Sequence, residues 1–413
     1  MPPDLKRVNT LAVRLGERRI GLINRLAGDR HIFAFEQDYL DDPDRPTLSL
    51  SFKGRSGGLV NRLKPYRRRV PPFFSNLLPE GPLRRYLAQQ SGVSEEREFH
   101  LLAALGADLS GAVIVEPAGP DASAEDDAHA ADTQQEQERD HAPAGALRFS
   151  LAGVQLKFSA VAEASGGLTI PARGVGGSWI VKLPSTQFPA VAENELVMLS
   201  LARHVGIETP PARLVSLSAI RGLPSEAKQL RGKALAVERF DRTAVGGRIH
   251  MEDFAQVFGL FPEEKYKGRS YANIATVLWA ESAPESVYEL VRRLAFSIIT
   301  GNGDMHLKNW SLIYRDGRTP ALSPAYDLVS TLPYLPNDQL ALTFGGSRGL
   351  DEITNDQVRR FADTARLPMN PLWKIVRETL ERTAEAWNTL EEKDLLPRDM
   401  RRVIGEQINR TAV

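Results

Sequence analysis

The sequence predicts an α+β chain: a small mixed N-terminal domain, then a larger unit whose first half is strand-rich and whose second half is helical. Three observations lead there. Short strand-like runs separated by turn residues dominate the first hundred residues. A long acidic stretch, nearly free of large apolar side chains, interrupts the chain at 117–147. Beyond it, strand patterns give way to apolar stripes of helical period.

The composition narrows the chemistry. Among 413 residues, hydrophobic types make up 42% and charged types 25%, the balance of a globular protein. Lys+Arg and Asp+Glu both total 52, without the basic excess that a general nucleic-acid binder carries. There is no cysteine, which excludes disulfide scaffolds, Cys-ligated zinc, iron–sulfur clusters and thiol nucleophiles. No apolar run of about 18 residues offers a membrane span, and the N-terminus lacks a signal-peptide core. The expectation is a cytoplasmic protein with no membrane partner.

Residues 1–116 form the first domain. Runs at 10–15, 19–24 and 31–35 read as strands, with turns at Gly16-Glu17 and Gly28-Asp29. Alternation in Leu48-Ser49-Leu50-Ser51-Phe52 predicts a further half-buried strand. Helices are expected at 82–90 and 95–105, and a strand at 112–115. The basic residues Lys53, Arg55, Arg62, Lys64 and Arg67 to Arg69 read as a solvated surface, with a phosphate patch as the alternative. Residues 117–147 read as a flexible acidic loop, a spacer or a tether that masks a basic surface, because such a composition buries too little surface to offset its ordering entropy.

Residues 148–245 form the next part. The segment 149–158 contains a single glycine and lacks both common phosphate-loop spellings, so it reads as a hairpin turn or a phosphate loop. Lys182 lies inside the apolar run Trp179-Ile180-Val181-Lys182-Leu183. Its ammonium needs a polar destination, whether the wet face of an edge strand or a buried partner. A helix follows over 190–205, with Glu193 and Glu195 in its early turns as candidate partners. The strand 234–237 runs into Glu238-Arg239-Phe240-Asp241-Arg242. This is either a plain strand end or a connector between lobes whose backbone can meet a purine edge.

In residues 246–413 a stripe from Val287 to Ile299 marks a buried helix. It stops at Gly301-Asn302-Gly303 and runs into Asp304-Met305-His306-Leu307-Lys308-Asn309, the most specific signal of the chain. A strand, an Asp316-Gly317 turn and a second strand then lead to Tyr326-Asp327. Helices over 356–365, 372–390 and 398–410 buttress this lobe.

Phosphoryl transfer from ATP needs these residue types. A carboxylate takes the acceptor hydroxyl's proton, hard oxygen ligands hold Mg²⁺, and a cation sits on the phosphates. Protein kinases place the base Asp five residues before the metal-binding Asn, and a second metal Asp beyond a hairpin. Asp304, Asn309 and Asp327 have that arrangement, with Lys182 in the phosphate-clamp place. The order of elements predicts a protein-kinase-like two-lobed fold with an all-helical C-terminal lobe. The usual H-R-D and D-F-G spellings are absent.

The motifs resemble one family. Ser150-Leu151-Ala152-Gly153-Val154-Gln155-Leu156-Lys157, Val181-Lys182-Leu183-Pro184, Asn194-Glu195, 238–242, His250-Met251-Glu252-Asp253-Phe254, 303–309 and Tyr326-Asp327-Leu328 look like the HipA family of bacterial serine/threonine kinase toxins. Leu78-Pro79-Glu80-Gly81-Pro82 is similar to that family's N-terminal domain. The resemblance spans about residues 10 to 385.

It implies a role for each matching position. Asp304 would be the catalytic base, and Asn309 and Asp327 would hold Mg²⁺. Lys182 would contact ATP phosphates with Glu195 as its helix partner, and His306 and Lys308 would lie near them. Ala152, Gly153, Val154, Gln155, Leu156 and Lys157 would form the nucleotide loop. Glu238, Arg239 and Phe240 would form the adenine-side connector, and Tyr326 would also contact the nucleotide. Ser150 would be autophosphorylated, silencing the enzyme, since an added dianion repels nucleotide phosphates. The implied partners are a helix-turn-helix antitoxin (HipB-like), DNA only through that antitoxin, and a protein substrate such as an aminoacyl-tRNA synthetase. A small-molecule kinase of the same fold, or a non-catalytic scaffold in a DNA-bound antitoxin complex, are the competing readings. The acidic 117–147 stretch is not a hallmark of this resemblance.

Overall fold

The computed structural model describes residues 5–54, 57–118, 156–163, 167–171, 176–224, 227 and 229–411. The expectations for Ser150, for Ala152 to Gln155 and for almost all of 117–147 fall outside the described residues.

The N-terminal domain is built on a five-stranded antiparallel sheet in the order β4-β3-β2-β1-β5. Its strands are β1 (Thr10–Leu15), β2 (Arg18–Leu26), β3 (Arg30–Phe35), β4 (Tyr66–Arg67) and β5 (Val113–Pro117). Gly28 and Asp29 both take positive φ, +74° and +58°, as a tight hairpin with the right twist demands. Among the described residues, four α-helices accompany the sheet: α1 (Gln37–Asp41), α2 (Pro72–Ser75), α3 (Gly81–Gln90) and α4 (Glu98–Leu105). Phe33, Phe73, Phe74 and Phe99 fill its core.

One expectation fails here. Residues 48–52 do not form a strand; Leu50–Phe52 is a 3₁₀ turn capped by Ser49, whose hydroxyl accepts from Ser51 N at 3.0 Å. The alternation is real but serves another purpose. Ser49 Oγ donates to Glu252 Oε2 at 2.5 Å and Leu50 N to Glu252 Oε1 at 3.0 Å, so tertiary bonds to the second unit replace a sheet ladder.

The next layer is a six-stranded sheet in the order β10-β7-β6-β8-β11-β9. Its strands are β6 (Lys157–Ala162), β7 (Leu168–Thr169), β8 (Trp179–Lys182), β9 (Ala212–Ser216), β10 (Ile220–Arg221) and β11 (Lys233–Glu238). Helix α5 (Val191–His204) packs Ala192 and Leu196 against β9 and β11, and its other face buries Val197, Met198 and Leu201 in the main core with the C-terminal helices. The sequence pattern placed α5, β8 and β11 within a residue or two, whereas β7, β9 and β10 carried no expectation.

The C-terminal unit is helical, with one small sheet added. Strands β12 (His250–Asp253), β13 (Ser311–Tyr314) and β14 (Ala321–Leu322) pair antiparallel in that order. Around them stand α6 (Phe254–Val257), α7 (Tyr271–Glu281), α8 (Pro284–Ile299), α9 (Asn355–Ala365), α10 (Met369–Thr389) and α11 (Arg398–Thr411). The stripe predicted from the sequence is the buried face of α8: Val287, Leu290, Val291, Leu294, Ile298 and Ile299 are sealed in the main core. Gly301 (φ +69°) ends this helix, and Asn302 N bonds back to Ser297 O at 2.8 Å. The chain thus leaves this buried helix directly into the loop 303–309.

Candidate active site

Strand and helix residues bring charge to one cleft of about 1600 Å³, lined by the N-terminal domain, the six-stranded sheet and the C-terminal unit. Lys157 and Lys182 are direct cross-strand partners on β6 and β8. Two ammonium groups side by side repel unless an anion lies between them. Asp327 supplies it. Its carboxylate pairs with Lys182, and with Lys157 Nζ at 3.0 Å. Lys182 also pairs with Glu195 on α5, so of the two candidate glutamates the helix phase selects the inward one.

Burial opposes this cluster and charge overcomes it. Burial alone would raise the Asp327 carboxyl, but the flanking Lys157 and Lys182 hold it well below the usual range. Lys182 is buried, yet Asp327 and Glu195 push its ammonium up. Burial raises Glu195, partly offset by Lys182. Asp327 adopts a left-handed backbone (φ +53°), a conformation that a non-glycine residue holds only when its surroundings enforce it.

The loop 303–309 closes the other wall. Asn309 donates its side-chain amide to Asp304 O at 2.8 Å, and His306 N donates to the same carbonyl at 2.8 Å. Thr331 Oγ1 accepts from Gly303 N at 2.9 Å. Asn309, His306 and Asp327 all line the cleft together with Lys157, Lys182 and Glu195. Asp304 itself is not among the residues that line the cleft; it stands behind Asn309, which bonds its carbonyl, and Tyr266 donates its hydroxyl to Asp304 Oδ1 at 2.6 Å.

His306 is buried with neither ring nitrogen hydrogen-bonded among the described residues. Burial, with Lys265 beside it, holds its pKa well below the ordinary value, so the ring is neutral. Two orphaned ring nitrogens in a cleft wall are what a polar ligand would satisfy. Lys308 lines the cleft as well, but its ammonium is engaged. It bonds Asn76 O at 2.8 Å and Asn76 Oδ1 at 3.1 Å, with Glu80 and Asp253 each 3.4 Å away. It therefore anchors the loop to the N-terminal domain and offers no spare cation.

Phe240 and Tyr326 also line the cleft, their ring centroids 5.7 Å apart at 39°. Tyr326 OH is fixed by Ser311 Oγ at 2.6 Å and Lys308 O at 2.9 Å. The connector is less open than its sequence suggests: Glu238 N and Arg239 N donate to Pro211 O and Ser178 O, both at 2.8 Å. Arg239 reaches the cleft wall, but its guanidinium bonds Asp241 at 2.8 Å and Ser159 Oγ at 3.0 Å, and it pairs with Asp108 at 3.3 Å. Its charge serves the joint between domains. Leu156 is described, its carbonyl accepting from Leu183 N at 2.9 Å.

The donor set suits Mg²⁺ held jointly with a nucleotide. Asp327 is an ionised carboxylate already surrounded by cations, and Asn309 offers an amide oxygen. No cluster of three His, Asp or Glu forms a protein-only cage among the described residues. Mg²⁺ characteristically takes one or two protein oxygens and completes its shell with phosphate and water.

Sequence reasoning did not single out Tyr266, Lys265 or Asn76. Tyr266 and Lys265 lie in an irregular stretch between α6 and α7 and Asn76 just past α2, where no period marks a side chain as inward. Glu80 was visible only as part of a motif.

Comparisons with known proteins bear on the family and the fold. The HipA-like C-terminal domain family matches residues 149–387, and the HipA N-terminal domain family matches residues 11–116. "Putative kinase Y4dM" of Sinorhizobium fredii is 50% identical over 396 residues, covering 95% of this chain and 94% of that protein. The "Serine/threonine-protein kinase toxin HipA" of Shewanella oneidensis is 27% identical over 405 residues, covering 88% of this chain and 85% of its own length. A solved structure of the Shewanella oneidensis toxin–antitoxin system, HipA with HipB and operator DNA, superposes with a TM-score of 0.73 at 23% identity, over 97% of this chain and 96% of that one. The two-lobed kinase-like architecture is thus shared, and the chain belongs to the HipA family.

Proposed function

We propose that this chain is an ATP- and Mg²⁺-dependent protein serine/threonine kinase acting as the toxin of a toxin–antitoxin module. The observation that carries this reading is the convergence of Lys157, Lys182, Asn309 and Asp327 on one cleft. In it, Asn309 and Asp327 hold Mg²⁺, which when bound would neutralise charge on the phosphate oxygens. Lys182 and Lys157 turn from Asp327 toward the phosphates. Glu195 keeps the Lys182 ammonium oriented. Phe240 and Tyr326 flank the base. Asp304 Oδ2 takes the proton of a Ser or Thr hydroxyl as its oxygen attacks the γ-phosphorus and the bond to ADP breaks.

The same reading assigns growth arrest to phosphorylation of a translation-related protein, with an aminoacyl-tRNA synthetase as the class that the family resemblance suggests. Autophosphorylation at Ser150 is its self-inactivating step. A HipB-like helix-turn-helix antitoxin is its partner, and DNA is reached through that partner; the Shewanella oneidensis complex supports this. The cytoplasm is its place of action; no described helix is long and apolar enough to cross a membrane.

The experiment is phosphate transfer from γ-labelled ATP with Mg²⁺, comparing wild type with Asp304→Asn and Asp327→Asn in a cell lysate. The expected result is labelled protein bands that weaken by about a hundredfold or more in both variants. Near wild-type labelling in either variant overturns the assignment, and a labelled metabolite without a protein band would favour a small-molecule kinase.

A further inference from the structure

A carboxylate of the N-terminal domain reaches into the catalytic lobe. Glu80 is the residue before α3, where the chain turns through Gly81 (φ +56°). One of its oxygens, Oε2, pairs with Lys265 Nζ at 2.8 Å, and the other, Oε1, stands 3.4 Å from Lys308 Nζ. Lys308 belongs to the loop that carries Asp304, His306 and Asn309. Lys265 belongs to the stretch that carries Tyr266, and its carbonyl accepts Leu307 N at 3.2 Å. One carboxylate therefore spans both segments that hold Asp304: the loop that bears it and the residue whose hydroxyl bonds it.

The Glu80 side chain is 29% exposed, but its partners are not surface groups. Both lysines are nearly buried, with side chains 9% and 14% exposed. Asn76 adds two oxygens to Lys308 from the same domain and is itself fixed to Leu260 O at 2.7 Å. Burial would raise the Glu80 carboxyl, yet Lys308 and Lys265 hold it down at about 2, so it is charged throughout the useful pH range.

We infer that Glu80 is a positioning residue for phosphoryl transfer, its carboxylate bracing Lys308 and Lys265 so that the N-terminal domain fixes where Asp304 stands. This rests on the kinase reading above. Glu80 touches no reacting atom. Its contribution is to keep the base within reach of the acceptor hydroxyl, where a displacement of about 1 Å costs on the order of a hundredfold in rate.

The test uses the full chain. In Glu80→Gln, kcat for phosphate transfer should fall roughly tenfold or more, while the Kd for ATP stays within about twofold of wild type. The double variant Glu80→Gln/Lys265→Gln should be no slower than the slower single variant, because both break one brace. Amide hydrogen exchange gives a readout that needs no turnover: peptides covering 303–310 should exchange faster in Glu80→Gln, with those of α8 unchanged. An unchanged kcat and unchanged exchange in Glu80→Gln overturn the inference and leave the kinase reading standing. Rate, ATP affinity and α8 protection falling together would show a general folding role and overturn it too. A wild type that transfers no phosphate would sink both readings.

Discussion

Tyr266 donates its hydroxyl to Asp304 Oδ1 at 2.6 Å while its ring stands edge-on to His306, the centroids 5.0 Å apart. One side chain thus orients the proposed base and packs the neutral imidazole beside it. Removing only the hydroxyl separates the two jobs. Tyr266→Phe should lower kcat about tenfold with ATP affinity unchanged, measured by steady-state kinetics over ATP concentration. A wild-type kcat would show that the loop alone holds Asp304.

Lys182 and Glu195 are both buried, and the Lys182 ammonium is shared between Glu195 and Asp327. Lys182→Met removes that ammonium, leaves the Glu195 carboxyl without its cation and leaves Asp327 to Lys157. The expected cost is about 3–5 kcal/mol of stability, read from urea unfolding. Lys182→Met/Glu195→Gln should recover part of that loss while remaining inactive. Equal stability of the two variants would contradict the pairing.

Glu252 and His250 set up opposing pH dependences at the joint between the N-terminal domain and β12. Burial pushes the Glu252 carboxyl up to about 7, against hydrogen bonds from Ser49, Tyr314 and Leu50 N. Burial pushes His250 down to about 4, with its Nε2 proton donated to Leu48 O at 2.7 Å. The raised carboxyl stabilises the fold fully below its unfolded value and loses that contribution as pH rises to about 7. The lowered imidazole does the reverse, losing its contribution as pH falls from about 6.5 to about 4. Over that shared window the two nearly offset. Relative to wild type, Glu252→Gln should therefore gain stability with rising pH, and His250→Gln should lose it, each by up to about 3 kcal/mol. Unfolding curves from pH 4.5 to 7 that run parallel for all three proteins would refute this.

Asp108 of the N-terminal domain pairs with Arg242 at 2.9 Å and Arg239 at 3.3 Å, next to the connector that leads into the cleft. Asp241 is the other anion of this knot, 2.8 Å from both guanidinium groups. Asp108→Asn leaves two buried cations on one carboxylate. The expected loss is about 3 kcal/mol, with faster proteolysis between the domains. Unaltered unfolding and cleavage would mean that Asp241 suffices.

The elements were legible wherever a period had only one use. The stripe of α8, the phase of α5 and the strands β1 to β3 each bury one face against one neighbour, so spacing and burial coincide. Residues 48–52 were misread because alternation cannot distinguish a sheet ladder from a turn whose polar groups bond another domain. For the site, the loop 303–309 and Asp327 stood out because acids, an amide and a histidine do not belong between a buried helix and a strand. Glu80, Asn76, Lys265 and Tyr266 carried no such mark.

By itself, the sequence determined the strongly periodic elements, among them β1 to β3, β8, α5, β11 and α8, and which chemistry-bearing residues sit at their ends, since both follow from local periodicity and side-chain type. Only the tertiary structure decided who pairs with whom. Lys308 turned from expected phosphate neighbour to interdomain anchor, and Arg239 from nucleotide contact to knot. The reason is physical: a buried charge takes whichever opposite charge three-dimensional packing brings within about 4 Å, and separation along the chain has no bearing on that distance.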